Sequence, residues 1–118
     1  MRILIVDDDP AICAISARIL VHSGYAVDVA PDGESAWDAV GVQRYDLILT
    51  DQNMPRLDGT GFIGRLRAAG LRIPVILMTG AAVPTPEKAS APDCFLTKPF
   101  SFSALVEEVN RLLCPVAV

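Results

Sequence analysis

Length, composition and charge restrict what this chain can be. It has 118 residues, of which 52% are hydrophobic and 20% are charged, which is typical of one folded domain and excludes a disordered chain. The formal net charge is −4, so direct binding to nucleic-acid phosphates is not expected. No apolar run approaches the roughly 18 residues that span a bilayer, so no membrane partner is expected either. The three cysteines leave at least one thiol unpaired, which favours a reducing, cytoplasmic location.

Five short apolar runs alternate with helix-like segments along the chain. The first, third and fourth runs are apolar on both faces, which is typical of central parallel strands. The second run alternates, with Asp28 facing outward, and this predicts a half-exposed edge strand. The five predicted strands cover residues 3–6, 25–29, 47–50, 74–78 and 94–97.

The helix-like segments carry their own boundary signals. Asp9 can cap a first helix and Pro10 suits its first turn. The spacing of Ile12, Ile15 and Ile19 predicts its buried face. Between the fourth and fifth strands, the prolines leave room only for a short helix near residues 85–91. The other helices are predicted at about residues 34–40, 59–69 and 102–113.

Alternating strands and helices predict a three-layer α/β domain with a parallel sheet. Its crossovers are expected to be right-handed. Ligands of such sheets bind beyond the carboxyl ends of the strands. The residues that follow each predicted strand are therefore the candidate site.

Polar side chains follow four of the predicted strands. Asp7 and Asp8 come after the first strand, Asp51 after the third, Thr79 after the fourth and Lys98 after the fifth. In a parallel sheet all of these positions meet at one edge. Alone, the two adjacent acids could be surface residues, whereas their convergence with an acid and a lysine favours a functional cluster.

The chemistry of this cluster is specific. Neighbouring carboxylates repel each other unless a cation lies between them, and Mg²⁺ is commonly held by one or two carboxylates together with phosphate oxygens. Lys98 supplies a point charge for a phosphoryl group, and the Thr79 hydroxyl can donate a hydrogen bond to one. Asp51 can then carry that group as an acyl phosphate. The sequence therefore predicts a phosphoryl-transfer site.

Four short strings, in this order, resemble the receiver domain of two-component response regulators. They cover nearly the whole chain and are Ile3-Leu4-Ile5-Val6-Asp7-Asp8-Asp9-Pro10, Leu49-Thr50-Asp51-Gln52-Asn53-Met54-Pro55 with Asp58-Gly59, Pro74-Val75-Ile76-Leu77-Met78-Thr79, and Phe95-Leu96-Thr97-Lys98-Pro99-Phe100. The resemblance implies a flavodoxin-like, doubly wound sheet of five parallel strands in the order 2-1-3-4-5, the order that chemotaxis receivers have. Here the fourth of its five helices is expected to be short or distorted.

The resemblance also implies a role for each matching residue. Asp51 is expected to be the phosphoacceptor, and Lys98 is expected to pair with the phosphoryl group. Thr79 is expected to move toward that group, and Phe95 is expected to follow by changing its rotamer. The Mg²⁺ ligands are expected to be Asp8 directly, Asp7 partly through water, Asp51, and the backbone carbonyl of Asn53.

The implied partner is a sensor histidine kinase or a histidine phosphotransfer protein, whose phosphohistidine is the donor. The chain is then a signalling phosphoacceptor and not an enzyme in the usual sense. Residues 1–118 are expected to form a single receiver domain with no output domain, and the downstream partner is left open.

Three other functions are compatible with part of the sequence. Asp7-Asp8-Asp9 fits the Asp-x-Asp nucleophile motif of small Mg²⁺-dependent phosphatases of the haloacid dehalogenase type, although Pro10 and Ala11 depart from the pattern after it. Flavin binding rests on fold analogy alone, and the three aspartates would repel a phosphate-bearing cofactor. A receiver-like interaction module that is never phosphorylated is the third possibility.

Several other residues have simpler interpretations. Asp9 is expected to be a helix cap, and Trp37 is expected to pack the second helix on the sheet. The cysteines are expected to be small buried groups. A solvated face is expected for the arginines of the third helix and the loop after it, which are Arg65, Arg67 and Arg72.

Overall fold

The computed structural model describes residues 1–80, 91–98 and 101–113. Its strands are β1 Arg2–Val6, β2 Ala26–Ala30, β3 Leu47–Asp51, β4 Val75–Thr79 and β5 Cys94–Thr97. They form one parallel sheet in the order β2-β1-β3-β4-β5. The described helices are α1 Pro10–His22, α2 Gly33–Val42, α3 Gly59–Ala68 and α4 Phe102–Leu113.

The predicted fold class and strand order are confirmed, and each strand lies within two residues of its predicted bounds. The short helix predicted near residues 85–91 falls largely outside the described residues. Among the helices that are described, none is long and apolar enough to cross a membrane.

The sheet is covered by helices on both faces. One face packs on α1 and α4, with Ile5, Leu49 and Met78 of the strands in the same cluster as Leu20 and Val109. The other face packs on α2 and α3, where the fully buried side chains of α3 are Phe62, Ile63 and Leu66. Every residue of β3 and β4 is buried, as the continuous apolar runs predicted. The result is the expected three-layer domain.

The buried face of α1 differs from the prediction. Ile15 is 46% exposed, and the residues of the helix that are buried are Cys13, Ser16 and Leu20. These residues have the same i, i+3, i+7 spacing as the three isoleucines, displaced by one position. Because both sets fit a helical period, the spacing could not choose between them.

Two polar residues that were expected to face solvent have side-chain hydrogen-bond partners. Asp28 accepts hydrogen bonds from the Arg2 guanidinium at 2.9 Å and from the Tyr45 hydroxyl at 2.8 Å. Arg67 donates to backbone carbonyls and to Asp93, and its side chain is only 16% exposed. The prediction of a solvated face is therefore wrong for Arg67. Asp28 keeps a 40% exposed side chain on a half-exposed edge strand, as predicted, and is paired there with Arg2 and Tyr45.

Candidate functional site

Three carboxylates meet at the carboxyl edge of the sheet. Asp51 is the last residue of β3, and Asp7 and Asp8 directly follow β1, the neighbouring strand. One carboxylate oxygen from each residue lies within 4.8 Å of the other two. Asp7 and Asp51 are buried, whereas Asp8 is exposed. The predicted convergence of these acids is therefore present.

Lys98 brings a cation to the same cluster. It directly follows β5, and its backbone N–H donates to the Thr79 carbonyl at 2.7 Å. The Nζ atom lies 3.1 Å from Oδ1 of Asp51 and 3.3 Å from Oδ2 of Asp7. Burial lowers the pKa of Lys98, but the hydrogen bond to Asp51 and the charge of Asp7 outweigh it and leave the pKa raised. Lys98 is therefore a fixed positive charge in the site.

The environment of Asp7 opposes its ionisation. Burial raises the pKa of this carboxyl, and the charge of Asp51 adds to the effect. The backbone N–H of Asp9, which donates to Asp7 at 2.9 Å, and the Lys98 ammonium act in the opposite direction. The pKa of Asp7 remains above its ordinary value, because one ammonium does not offset the burial and repulsion of the carboxylates. A further cation among them would relieve this cost.

Asp9 stands apart from the cluster. Its Oδ1 accepts hydrogen bonds from the backbone N–H of Ala11 at 2.9 Å and of Ile12 at 3.5 Å. It is the N-cap of α1, with Pro10 in the first turn, as predicted. Its backbone N–H nevertheless orients Asp7, so the cap links the start of α1 to the site.

The loop that follows Asp51 is pinned to α3. Gln52 accepts hydrogen bonds from the Gly59 N–H at its carbonyl and from the Thr60 N–H at its side chain, both at 3.0 Å. A Cβ atom on Gly59 would lie 2.6 Å from the carbonyl oxygen of Asp51. The Asp58-Gly59 pair is part of the resemblance in sequence, and the close approach of Gly59 to Asp51 explains the need for glycine. Gly59 allows α3 to touch the backbone of Asp51.

The other predicted residues lie around this centre. Thr79 is buried at the end of β4, the strand beside β3, one position beyond the register pair of Asp51 and Met78. Phe95 lies on the edge strand β5 and is 45% exposed. Asn53 is exposed in the loop two residues after Asp51, and the role of its carbonyl stays a prediction.

Sequence reasoning gave Cys13 no place at the site. Its thiol is buried beneath the cluster and donates to the Asp7 carbonyl at 3.3 Å. Burial, together with the neighbouring charges of Asp7 and Asp9, raises the pKa of Cys13 to about 11. The thiol is therefore a neutral donor that supports the backbone of Asp7. No sequence signal singles it out, because the helical spacing of α1 fits two faces equally well.

A cleft opens beside the carboxylates. It has a volume of about 440 Å³ and is walled mainly by apolar groups of α1 and the loop after β2, with these lining residues: Asp7, Asp8, Pro10, Cys13, Ala14, Val29 and Pro31. Clustered carboxylate oxygens are the donors that Mg²⁺ prefers. The arrangement can thus hold a hard divalent cation and present an apolar surface next to it.

Comparison with known proteins agrees with this geometry. Residues 3–110 match the family model of the response regulator receiver domain. The chain is 36% identical over 116 residues to the response regulator MprA of Mycobacterium avium (strain 104), an alignment that covers 96% of the chain and 51% of MprA. The chain therefore spans about half the length of the curated relatives that it matches.

Solved structures show the same likeness. The chemotaxis protein CheY4 of Vibrio cholerae superposes with a TM-score of 0.88 at 30% identity, covering 95% of this chain and 98% of CheY4. The receiver domain of the sensor histidine kinase PA1611 from Pseudomonas aeruginosa PAO1 superposes with a TM-score of 0.85 at 32% identity, covering 95% and 96%, and has a magnesium ion coordinated in its active site cleft. The present chain belongs to the response regulator receiver domain family.

Proposed function

We propose that the chain is a phosphorylation-dependent signalling switch in which Asp51 accepts a phosphoryl group from a phosphohistidine. The observation that supports this best is the contact of the Lys98 ammonium with both Asp51 and Asp7 inside the carboxylate cluster. The donor would be a sensor histidine kinase or a histidine phosphotransfer protein. Residues 1–118 would act as one receiver unit and a phosphoacceptor, not as an enzyme with its own substrate turnover.

The chain's own residues supply most of what transfer requires. Asp51 presents a buried carboxylate as the nucleophile, and the P–N bond of the donor breaks as the new P–O bond forms. Lys98 already lies 3.1 Å from this carboxylate and can neutralise the phosphoryl oxygens as they arrive. Asp7, Asp8, Asp51 and the Asn53 carbonyl would hold Mg²⁺. The ion, when bound, supplies the remaining positive charge.

The switch would start at Thr79. Thr79 ends β4, beside the strand that carries Asp51, and its hydroxyl would move toward the phosphoryl group. Phe95 is half-exposed on the adjacent edge strand, where a rotamer change has few contacts to break. The negative charge of the phosphoryl group would thereby shift the equilibrium between two conformations of this surface. A downstream partner would bind one of the two conformations.

The cleft beside Asp8 supports a protein donor. Its apolar wall includes Pro10, Ala14 and Val29, and Val29 is 48% exposed. A partner that covers these side chains would bring its phosphohistidine to the acidic edge. The free thiols of Cys13 and Cys94 favour a reducing compartment, so we place this encounter in the cytoplasm.

The phosphatase alternative gains no support from the site. It requires Asp9 to act beside Asp7 as the second acid of its motif. The Asp9 side chain instead caps α1, and the group of three carboxylates within 4.8 Å of one another consists of Asp7, Asp8 and Asp51.

The decisive experiment replaces Asp51 by asparagine. The wild-type chain, incubated with Mg²⁺ and acetyl phosphate, should gain one phosphoryl group by intact mass, and Asp51→Asn should gain none. Asp38→Asn, an exposed site on α2, is the matched control and should behave like wild type. Undiminished labelling of Asp51→Asn would refute the assignment, and stable labelling of Asp7 would favour the phosphatase. If neither acetyl phosphate nor beryllofluoride changes the wild-type protein, it is an unphosphorylated module.

A further inference from the structure

The strand that carries Lys98 into the site is weakly anchored by its own side chains. β5 is a four-residue edge strand, all of which the structure describes, and Leu96 is its one buried side chain. Phe95 and Thr97 are exposed. A buried face normally fixes the register of a strand, because a slip of one residue turns that face outward. In β5 this restraint comes from only two side chains, Leu96 and the partly buried Cys94, whose thiol donates to Glu108 of α4 at 2.9 Å.

A polar connection at the start of β5 adds a second restraint. Asp93 precedes the strand, and its backbone N–H donates to the Val75 carbonyl at 2.9 Å. One oxygen of its side chain accepts from the Val75 N–H at 2.8 Å and from the Arg67 guanidinium at 3.1 Å. Asp93 thereby holds both backbone groups of the first residue of β4, which sets where β5 begins.

Arg67 gives this connection a rigid base. The residue lies in the last turn of α3, and its Nη1 donates to the carbonyls of Leu71 and Ile73, each at 2.9 Å. These carbonyls belong to the segment that leads into β4. The planar guanidinium can bind several acceptors in a fixed arrangement, which a lysine ammonium does less well. One side chain thus links α3, the loop before β4 and the residue that precedes β5.

The register of β5 decides the position of Lys98, which directly follows the other end of the strand. Lys98 is five residues after Asp93, about 16 Å along a strand. Its Nζ contacts Asp51 at 3.1 Å and Asp7 at 3.3 Å. A register slip of one residue would move this position by about 3.3 Å and turn its side chain to the other face. Contacts of this length would not survive the slip.

We propose that Arg67 and Asp93 are positioning residues that set the register of β5 and so hold Lys98 against Asp51. The proposal rests on the proposed function for the role of Lys98 in transfer. Neither residue is expected to contact the phosphoryl group. Asp93 and the Arg67 guanidinium that binds it lie at the start of β5, whereas Lys98 follows the end of β5.

The first test separates phosphoryl transfer from metal binding. Asp93→Ala and Arg67→Ala should lower the rate of phosphorylation by acetyl phosphate by roughly 10- to 100-fold, since a misplacement of about 1 Å can cost 100-fold. Their Mg²⁺ affinity, measured by calorimetry, should not fall below the wild-type value, because Asp7, Asp8 and Asp51 belong to β1, β3 and the residues that directly follow β1. Arg65→Ala is the matched control. Arg65 is two positions away on α3 and pairs with Glu34, and its loss should leave both quantities unchanged.

A double-mutant cycle then asks whether the effect passes through Lys98. In a Lys98→Ala background, Asp93→Ala should cause no further loss of rate. If Asp93→Ala lowers the phosphorylation rate by the same factor in the Lys98→Ala background as in wild type, the proposal is overturned. Asp93→Asn is a milder change that keeps an oxygen acceptor for the Val75 N–H. Its phosphorylation rate should lie between those of wild type and Asp93→Ala. Arg67→Lys should restore part of the rate lost in Arg67→Ala, and no restoration at all would count against a charge-based anchor.

A readout without phosphorylation keeps the two proposals distinct. Hydrogen exchange of the Lys98 amide, which donates to Thr79, should accelerate in Asp93→Ala and Arg67→Ala but not in Arg65→Ala. If the wild-type chain takes up no phosphoryl group, the proposed function fails, while unchanged Lys98 exchange in Asp93→Ala would refute the positioning role by itself.

Discussion

Lys98 and Asp7 are 91 residues apart in the chain, and the structure places their charged groups 3.3 Å from each other. The same ammonium lies 3.1 Å from Asp51. One cation therefore serves two buried acids that come from different strands. Because burial weakens both the hydration of these charges and their screening by water, the balance among them controls stability as well as chemistry.

The first prediction concerns the cost of the Asp7 charge. The folded protein raises the pKa of Asp7, chiefly by burial, so it prefers the protonated carboxyl. Ionised Asp7 therefore lowers the free energy of unfolding at neutral pH. This cost shrinks as the pH falls through the folded pKa and is gone below the ordinary pKa of 3.8. Asp7→Asn should raise the melting temperature at pH 7 without metal, and the gain should shrink in acid.

The same variant tests the metal site. Mg²⁺ at 100 times its dissociation constant should stabilise the wild-type chain by about 2.7 kcal/mol, and most of this gain should be lost in Asp7→Asn. Thermal melts with and without Mg²⁺ measure both effects, with Asp38→Asn as the control. A metal-free Asp7→Asn that melts below wild type would contradict the prediction.

The second prediction separates the two cationic roles at the site. Lys98→Ala removes a charge that contacts Asp7 and Asp51, so Mg²⁺ should bind at least as tightly as in wild type. The rate of phosphorylation by acetyl phosphate should fall by roughly 100-fold, because removing one preorganised donor to a developing charge has an effect of this order. Arg72→Ala, at an exposed position, is the control. Loss of Mg²⁺ binding in Lys98→Ala would show that the lysine instead organises the carboxylates.

The third prediction compares two glycines. A Cβ on Gly59 would lie 2.6 Å from the Asp51 carbonyl oxygen and 2.6 Å from a methyl group of Leu77, whereas nothing lies within 4 Å of a Cβ on Gly41. Gly59→Ala should therefore lower the free energy of unfolding by about 1–3 kcal/mol, as overpacking does. Gly41→Ala, near the end of α2, should be neutral or stabilising by up to about 1 kcal/mol. Urea unfolding measures both.

Gly59→Ala should also weaken Mg²⁺ binding, because the clash falls on the backbone of Asp51. Gly41→Ala should leave Mg²⁺ binding unchanged. Equal urea midpoints for the two variants would show that α3 moves away from the loop without cost.

The fourth prediction is a pH dependence far from the site. Burial, reinforced by the hydrogen bond to Asp28, raises the pKa of Tyr45 from 10.0 to about 12. The stability that this phenol contributes is thus fully present below pH 10 and is lost as the pH rises through 12. At pH 8, Tyr45→Phe should be less stable than wild type by about 1 kcal/mol, the typical value of one hydrogen bond.

At pH 11 the difference in free energy of unfolding between Tyr45→Phe and wild type should narrow. Only the wild-type chain has a phenol at this position, and its ionisation in the unfolded state favours unfolding. Urea unfolding at the two pH values provides the comparison. A difference that grows with pH would mean that the Tyr45 phenol ionises more easily in the folded protein than in the unfolded chain.

Much of the fold and of the site was predictable because it depends on local patterns. The runs 3–6 and 47–50, which are apolar on both faces, identify central strands, since strands buried on both faces need apolar residues on each. Their alternation with helices implies a parallel sheet. The placement of Asp7, Asp51, Thr79 and Lys98 at one edge follows from the sheet geometry alone.

Other features needed the tertiary structure because their partners are distant in sequence. The isoleucines of α1 and its buried set around Cys13 have the same helical spacing, and only packing on the sheet selects the latter. Arg67 reads as a surface residue of α3 until the chain after β4 returns with Asp93. In the same way, Asp28 is a polar residue of an edge strand until Tyr45 is placed beside it.

By itself, the sequence determined which residues end the strands, and hence which chemical groups meet at the site. The tertiary structure decided how those groups interact. Lys98 is shared by Asp7 and Asp51, and Gly59 lies against the Asp51 backbone. At the start of the strand that precedes Lys98, Asp93 binds Arg67 and the backbone of Val75. Strand ends follow from local hydrophobic pattern, whereas distances, burial and pKa values depend on contacts between segments that the pattern does not contain.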